Sequence, residues 1–252
     1  MQAYTYLLIN FLTIIICFVF SFHQKIRFDR YFGAFIKAAV LVAIPFIAWD
    51  VWFTQQGVWW FNDRYLLGLR LFGLPLEEML FFICIPFSCL FTYYCLTKFY
   101  NLAWAATTEK IFALTAIVLC VIMGGLSLGM IYPTVTFFMT AGSLFYFVFI
   151  AKVRWLGTAT SVYGILLIGF FLVNGVLTGT GLEEAVVNYN PDAFWNIRIL
   201  TVPFEDAIYG YSMILWNIYF FSLFKPQENE ATDEMPKQGI SSIFKADKPF
   251  SR

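Results

Sequence analysis

The chain has 252 residues, of which 60% are hydrophobic, 21% are aromatic and only 13% are charged, and its formal net charge at pH 7 is zero. These proportions exclude an ordinary soluble domain and are typical of an integral membrane protein. The basic residues form no stripe that would follow a phosphate backbone, so we expect no nucleic-acid partner. A single histidine, His23, is too few for a metal site built from imidazoles, and we expect no metal.

Apolar runs of the length that crosses a bilayer predict seven transmembrane helices. The first run lacks a small-residue cleavage site and a basic n-region, so we expect a retained helix and not a signal peptide. Pro75 is expected at the first position of the third helix, where proline is favoured. The polar segment after residue 224 is expected to be disordered. The predicted helices lie at residues 3–22, 33–53, 75–97, 111–124, 133–151, 159–178 and 203–224.

One stretch of the sequence occurs twice. Residues 70–82 read RLFGLPLEEMLFF and residues 198–210 read RILTVPFEDAIYG, so the pattern R-x4-P-x-E, followed by a second acid, recurs at an offset of 128 residues. Each copy places two adjacent carboxyl groups at the head of an apolar helix. Ionisable groups inside a membrane are costly and usually functional. The equivalent pairs are Arg70 and Arg198, Pro75 and Pro203, Glu77 and Glu205, Glu78 and Asp206, and Phe81 and Tyr209.

The same offset maps the last three predicted helices onto the first three. The sequence therefore predicts an all-α integral membrane protein of about seven helices, arranged as two three-helix repeats joined by an extra helix. Because the extra crossing restores the chain direction, the repeats are expected to be parallel and to present both acid pairs at one side of the membrane. The predicted units are a first repeat at 1–97, a linking helix at 98–130, a second repeat at 131–224 and a polar cytoplasmic tail at 225–252.

The charge distribution predicts an orientation in the membrane. Thirteen of the sixteen lysine and arginine residues fall on one side of the predicted helices, and only Arg64, Arg70 and Arg198 fall on the other. Loops rich in basic residues are usually cytoplasmic. The N-terminus is therefore expected outside and the C-terminus in the cytoplasm, with both acid pairs near the outer leaflet.

The repeated acids Glu77, Glu78, Glu205 and Asp206 are the candidate catalytic residues. Desolvation, the adjacent like charge and the facing pair all favour a neutral carboxylic acid and outweigh the helix dipole, so at least one acid is expected to stay protonated near neutral pH. A neutral acid beside an apolar cavity can protonate a weak base such as a carbon–carbon double bond. Adjacent helical residues point about 100° apart, so one acid of each pair would face the cavity while the other orients it.

Aromatic rings near the two motifs are candidates to stabilise a carbocation through their faces. A lipid-facing or interfacial position is the more common role for any single ring in a membrane protein. Arg70 and Arg198 either pair with the acids or anchor the chain at the interface, and the acidic residues Glu183 and Glu184 are interpreted as solvated loop charges. The rings that we single out are Trp49, Trp52, Phe81 and Tyr209.

Several motifs together give the chain a resemblance to a known family. They are the repeated PLEE and PFED, the pair Trp49 and Asp50, G-x-W-x-F at 57–61 and N-x-x-L-T at 174–178. Over residues 3–224 the chain resembles the membrane lycopene cyclases of the two-component type, in their fused form. The resemblance implies redox-neutral cyclisation of the linear ends of lycopene to β-ionone rings, in a bacterial inner membrane. It also implies that the four repeated acids supply the acid and the base, with Asp50 and Asn174 in support.

Other functions remain open from the sequence. Hydration of a carotenoid, or cyclisation of a C50 carotenoid to an ε or γ ring, would also begin with a protonated alkene. A proton-coupled transporter is the alternative from another class, since acids in repeated half-helices also suit transport. The chain has no G-x-G-x-x-G motif after a strand, so no flavin or other cofactor is expected. The ring isomer, the number of ends cyclised, the choice of acid and base, and the oligomeric state stay open.

Overall fold

The computed structural model describes residues 2–226. Within this range, seven helices are long and apolar enough to cross a membrane, so the protein is an all-α integral membrane protein, as predicted. The predicted disordered tail lies, from residue 227 onward, outside the described residues. The helices are α1 (Thr5–Ser21), α2 (Phe32–Gln55), α3 (Leu76–Phe99), α4 (Ala106–Leu126), α5 (Ile131–Phe145, continued by a π-helical turn at Tyr146–Ile150), α6 (Leu156–Leu177) and α7 (Phe204–Phe224).

The helices form two three-helix repeats joined by α4. Within the repeats, α1 packs on α3 and α5 packs on α7, which are equivalent pairs. Across the repeats, α2 packs on α7 and α6 packs on α3, while α4 lies along α5. Because the helices cross in alternating directions, one extra crossing makes the two repeats parallel. The heads of α3 and α7, which carry the repeated acids, therefore lie at the same end of the bundle.

Short strands lie in the two connections that precede α3 and α7. One antiparallel pair joins the connections of the two repeats and places Trp59 opposite Tyr189. The other two pairs are hairpins, in which Arg70 lies opposite Pro75 and Arg198 opposite Pro203. The spacing R-x4-P thus encodes a hairpin at the head of a helix, which the sequence analysis does not predict. The strands are β1 (Trp59–Phe61), β2 (Arg70–Leu71), β3 (Leu74–Pro75), β4 (Val187–Tyr189), β5 (Arg198–Ile199) and β6 (Val202–Pro203).

The expected position of Pro75 is wrong by one residue. Pro75 ends β3 in an extended conformation, with φ −60° and ψ 146°, and α3 begins at Leu76. The N–H group of Leu76 donates to the carbonyl of Leu69 at 2.9 Å, which continues the hairpin one step beyond the proline. An equivalent bond lies at the head of α7, so Pro203 also precedes its helix.

The linking helix is longer than predicted. It begins at Ala106, before the expected start at residue 111, and its first turn is polar. In that turn the carboxylate of Glu109 accepts the backbone N–H of Gly157 at 2.8 Å, which ties the start of α4 to the start of α6. Apolar periodicity cannot reveal this turn, because a hydrogen bond and not an apolar face holds it.

Candidate active site

A cavity of about 310 Å³ lies among α1, α3, α6 and α7, next to the sheet formed by β1 and β4. Most of its wall is apolar, which suits a hydrocarbon ligand. Three carboxyl groups also line it, from Asp50, Glu78 and Asp206, and tyrosine side chains surround them. Acids from both repeats therefore meet in one cavity.

Glu78 lies in the first turn of α3, where the repeated motif positions it. Its Oε2 atom accepts a hydrogen bond from the hydroxyl of Tyr6 in α1 at 2.6 Å. Among the described residues, no other side chain donates to this carboxyl group. The second carboxyl oxygen is therefore available to a ligand in the cavity.

Asp206 is the equivalent acid in α7, and it has more hydrogen-bond donors. The hydroxyl of Tyr132 donates to Oδ1 at 2.6 Å, and the hydroxyl of Tyr189 donates to Oδ2 at 2.7 Å. Burial and the neighbouring Asp206 carboxylate raise the pKa of Tyr189 well above its ordinary value, so this phenol remains a donor. Two phenol donors stabilise the ionised form of Asp206.

Asp50 is the third acid of the cavity and comes from the end of α2. It is almost completely buried, and the indole N–H of Trp59 donates to its Oδ1 atom at 2.6 Å. Its Oδ2 atom has no hydrogen-bond partner among the described residues. A buried carboxyl oxygen without a partner is rare in proteins, so Asp50 is also available to a bound molecule.

Glu77 and Glu205 lie beside the cavity acids but do not line the cavity. Both are fully buried. Oε1 of Glu77 accepts the backbone N–H of Leu67 at 2.6 Å, and Oε1 of Glu205 accepts the backbone N–H of Trp195 at 2.9 Å. Leu67 and Trp195 are themselves equivalent in the repeat. These two acids thus fasten each connection to the head of its helix.

Comparison with known proteins identifies the family of the chain. A protein-family model described as lycopene cyclase matches residues 3–96 and 129–224. The chain belongs to the lycopene cyclase family. The two matched segments correspond to the two repeats of the chain, one on each side of the linking helix.

One relative of the chain is a bifunctional lycopene cyclase/phytoene synthase of Leptosphaeria maculans. It is 32% identical to this chain over 72 residues, which is 29% of the chain and 12% of the relative. The aligned part is thus a small fraction of the relative's length. No solved structure matches the chain.

The structure separates the predicted supporting residues into two groups. Phe81, Tyr209 and Asn174 line the cavity, and the Nδ2 group of Asn174 donates to the carbonyl of Phe170 at 3.1 Å. Trp49 lies behind the wall and packs edge-on against Tyr209, with the ring centres 4.9 Å apart. Trp52 is 43% exposed on the outer surface of α2 and does not line the cavity.

The two motif arginines are not ion-paired with the motif acids in the described part of the chain. Arg70 binds the Asp63 carboxylate at 2.6 Å and the carbonyl of Gly73 at 3.0 Å. Arg198 donates to the carbonyl of Thr201 at 2.6 Å and lies over the ring of Phe194. Each arginine therefore stabilises its own hairpin. This role explains why an arginine stands at the same position in both repeats although neither arginine contacts the acids.

The loop acids also have partners. Glu183 pairs with Arg64, and Glu184 accepts a hydrogen bond from Asn62 at 2.7 Å. Both acids are exposed, in keeping with loop charges.

Sequence reasoning does not identify the three tyrosines that bind the cavity acids as site residues. Tyr6, Tyr132 and Tyr189 lie on α1, α5 and β4, far in sequence from the acids that they contact. Tyr6 and Tyr132 do share one signal, because each lies near the start of the first helix of its repeat. The packing of α1 on α3 and of α5 on α7 brings them to the acids.

Proposed function

We propose that this chain is a lycopene β-cyclase, which closes the linear ends of lycopene to β-ionone rings, giving γ-carotene and then β-carotene. The observation that carries the proposal is the meeting of Glu78 and Asp206 in one apolar cavity. Membership of the lycopene cyclase family supports the substrate class. The name of the Leptosphaeria relative supports it too.

The proposed reaction is an isomerisation in which no electron carrier takes part. A carboxylic acid donates its proton to the terminal double bond of lycopene, which leaves a tertiary carbocation. The neighbouring internal double bond attacks this cation, and the new carbon–carbon bond closes the ring. A carboxylate then removes a proton from the ring carbon next to the second cation, which forms the ring double bond.

The hydrogen bonds favour Glu78 as the acid and Asp206 as the base. Glu78 accepts one phenol hydrogen bond, and its second oxygen is free to present a proton to the cavity. Asp206 accepts two phenol hydrogen bonds, which favour its ionised form. Each carboxylate oxygen has two lone pairs, so Asp206 can still accept a proton. Because both carboxyl groups line the same cavity, the proposed cycle is completed when the proton taken by Asp206 returns to Glu78 between turnovers.

The rings of the cavity wall suit the carbocation intermediates. Trp59 and Tyr132 stand edge to face with their ring centres 5.2 Å apart, and both line the cavity together with Phe81 and Tyr209. A desolvated ring face stabilises a cation by about 2 kcal/mol. The same rings keep water away from the cation, and this exclusion favours loss of a proton over hydration.

The remaining predicted residues have supporting roles in this proposal. Asp50, held by Trp59, adds a second carboxyl group that is open to the cavity and can orient the substrate end. Glu77 and Glu205 position the cavity acids by holding the heads of α3 and α7. The substrate enters from the lipid phase, and the acid end of the bundle faces the outside of a bacterial inner membrane.

The deciding experiment is pigment analysis of lycopene-accumulating bacteria that express this chain. We expect chromatography to separate lycopene, γ-carotene and β-carotene, with β-carotene increasing at the expense of lycopene. Products with an ε or γ ring would show that the proton is lost from a different carbon atom. Hydroxylated products would indicate a hydratase. Unchanged lycopene, with the protein present in the membrane, would remove lycopene as the substrate and favour a C50 carotenoid or a transporter.

A further inference from the structure

We propose that the polyene of the substrate lies in only one of two equivalent grooves, the one between α1, α3 and α6, and that a layer of aromatic side chains separates the other groove from the acids. This inference rests on the proposed function for the identity of the hydrocarbon. Its consequence is that the two ends of the substrate reach the acids one after the other, from the same side of the protein.

A second groove of about 570 Å³ lies among α2, α5 and α7. The offset of 128 residues maps α5, α7 and α2 onto α1, α3 and α6, which are three of the helices around the acid cavity. The second groove is therefore the repeat-related counterpart of the first. Asp50, Glu78 and Asp206 line the first groove, whereas no carboxyl group of the described residues lines the second.

The first groove is open and effectively apolar along its length. The hydroxyl groups of Ser88 and Thr92 are already satisfied by the backbone, because Ser88 donates to the carbonyl of Thr13 at 2.7 Å and Thr92 donates to the carbonyl of Ser88 at 2.8 Å. The wall of this groove also includes Gly169, and a Cβ atom built there would meet no atom within 4 Å. A hydrocarbon chain can thus extend from the acids along α3 and α6 without losing hydrogen bonds.

In the second groove, larger aromatic side chains occupy the positions equivalent to small or polar residues of the first groove. Trp216 stands at the position equivalent to Ser88, Phe220 at that of Thr92, and Phe46 at that of Asn174. Phe46 packs edge-on against Tyr209, with the ring centres 5.2 Å apart, and Trp49 does so at 4.9 Å. Because Tyr209 also lines the acid cavity, this layer of rings separates the second groove from the acids.

Two glycines offer a matched test. Gly169 lines the first groove and Gly142 lines the second, both lie within helices, and a Cβ atom at either position would meet no atom within 4 Å. Gly169→Phe should fill the first groove, and Gly142→Phe should fill the second. Gly169→Leu is a milder variant for the case that phenylalanine prevents folding, since Leu41 is the natural residue at the equivalent position.

The primary measurement is the carotenoid retained by each variant, counted as lycopene plus its ring products, when the protein is purified in detergent from lycopene-accumulating bacteria and its absorbance per protein is read. We expect Gly169→Phe to reduce this retention about tenfold or more, with Gly142→Phe close to wild type. Equal loss in both variants, loss only in Gly142→Phe, or no loss in either would overturn the single-groove assignment. Failure to detect any carotenoid on the wild-type protein would overturn it as well.

The product pattern is read from the same cells and separates the two proposals. If Gly169→Phe retains less lycopene than the wild type and Gly142→Phe do, but the wild type forms no rings, the cyclase proposal fails while the groove assignment stands. If rings form equally well in wild type and Gly169→Phe, the groove assignment fails while the cyclase proposal stands.

Discussion

Glu78 and Asp206 occupy equivalent positions in the two repeats, and their carboxyl groups line the same cavity. The duplication therefore does not create two separate sites. Each repeat contributes the second acid of its motif to a common cavity, and these two acids differ in their hydrogen bonds, one phenol for Glu78 and two for Asp206. Under the proposed function, this difference lets one fold unit, used twice, supply an acid and a base.

The first prediction concerns the proposed proton donor. Glu78→Gln keeps the shape of the side chain and its bond with Tyr6 but removes the transferable proton. General acid catalysis contributes about 10²- to 10⁴-fold to a rate, so we expect β-carotene formation to decrease by at least about 10²-fold. The measurement is the pigment content of lycopene-accumulating bacteria, normalised to the cyclase present in the membrane.

The control for this variant is Glu184→Gln, which changes the same residue type in the exposed connection. It should leave the pigment pattern unchanged. Wild-type levels of β-carotene in Glu78→Gln would show that another acid, with Asp50 as the first candidate, provides the proton.

The second prediction concerns the two phenols on the proposed base. Tyr132→Phe and Tyr189→Phe each remove one hydrogen bond to Asp206 and retain the ring. A hydrogen bond to a charged group contributes about 1.5 to 3 kcal/mol, so each variant should slow ring formation by about 10- to 100-fold. We also expect a larger share of one-ring product, because a slower reaction leaves the second end unreacted for longer.

Tyr146→Phe is the matched control for the phenol variants. Its hydroxyl pairs with that of Tyr219 at 3.1 Å, away from the acids. If Tyr146→Phe slows the reaction as much as Tyr132→Phe and Tyr189→Phe do, the slower ring formation results from altered packing and not from a lost hydrogen bond to Asp206.

The third prediction separates a structural from a chemical role for Glu77. Glu77→Ala leaves the N–H group of Leu67 without its acceptor, which costs about 1 to 3 kcal/mol. We expect a lower midpoint of thermal unfolding in detergent for this variant and a nearly unchanged midpoint for Glu77→Gln, whose carbonyl can still accept the bond. Glu183→Ala, in the exposed connection, is the control.

Glu77→Gln also tests the expectation from the sequence that all four repeated acids are catalytic. We expect this variant to keep most of its cyclase activity. A loss of activity as complete as that of Glu78→Gln, at unchanged stability, would place Glu77 in the proton transfer itself.

Much of the fold can be predicted from the sequence because the membrane restricts the possible structures. A helix must satisfy its own backbone in lipid, so apolar runs of sufficient length mark the crossings. The repeat then fixes the parallel arrangement. The hairpin between Arg70 and Pro75 escapes prediction, because its strands are two residues long and carry no alternating pattern.

The acids of the site can be predicted from sequence, but not their partners. Glu78 and Asp206 stand out because the motif repeats and because buried acids are costly. Tyr132 and Tyr189 do not, since tyrosine is ordinary in a membrane protein and neither residue is near Asp206 in sequence. Tyr189 reaches the acid only because β4 pairs with β1, a contact between the two repeats.

The fourth prediction concerns the orientation of the acid end. Asp192→Cys and Lys110→Cys place one new thiol at exposed positions, the first in the connection before α7 and the second at the start of α4. The five native cysteines are buried or half-buried, so they should give a low background. A membrane-impermeant maleimide should label Asp192→Cys in intact cells and Lys110→Cys only after lysis, because basic loops remain in the cytoplasm. The opposite pattern would place the acids near the inner leaflet and would overturn the orientation while leaving the fold and the site unchanged.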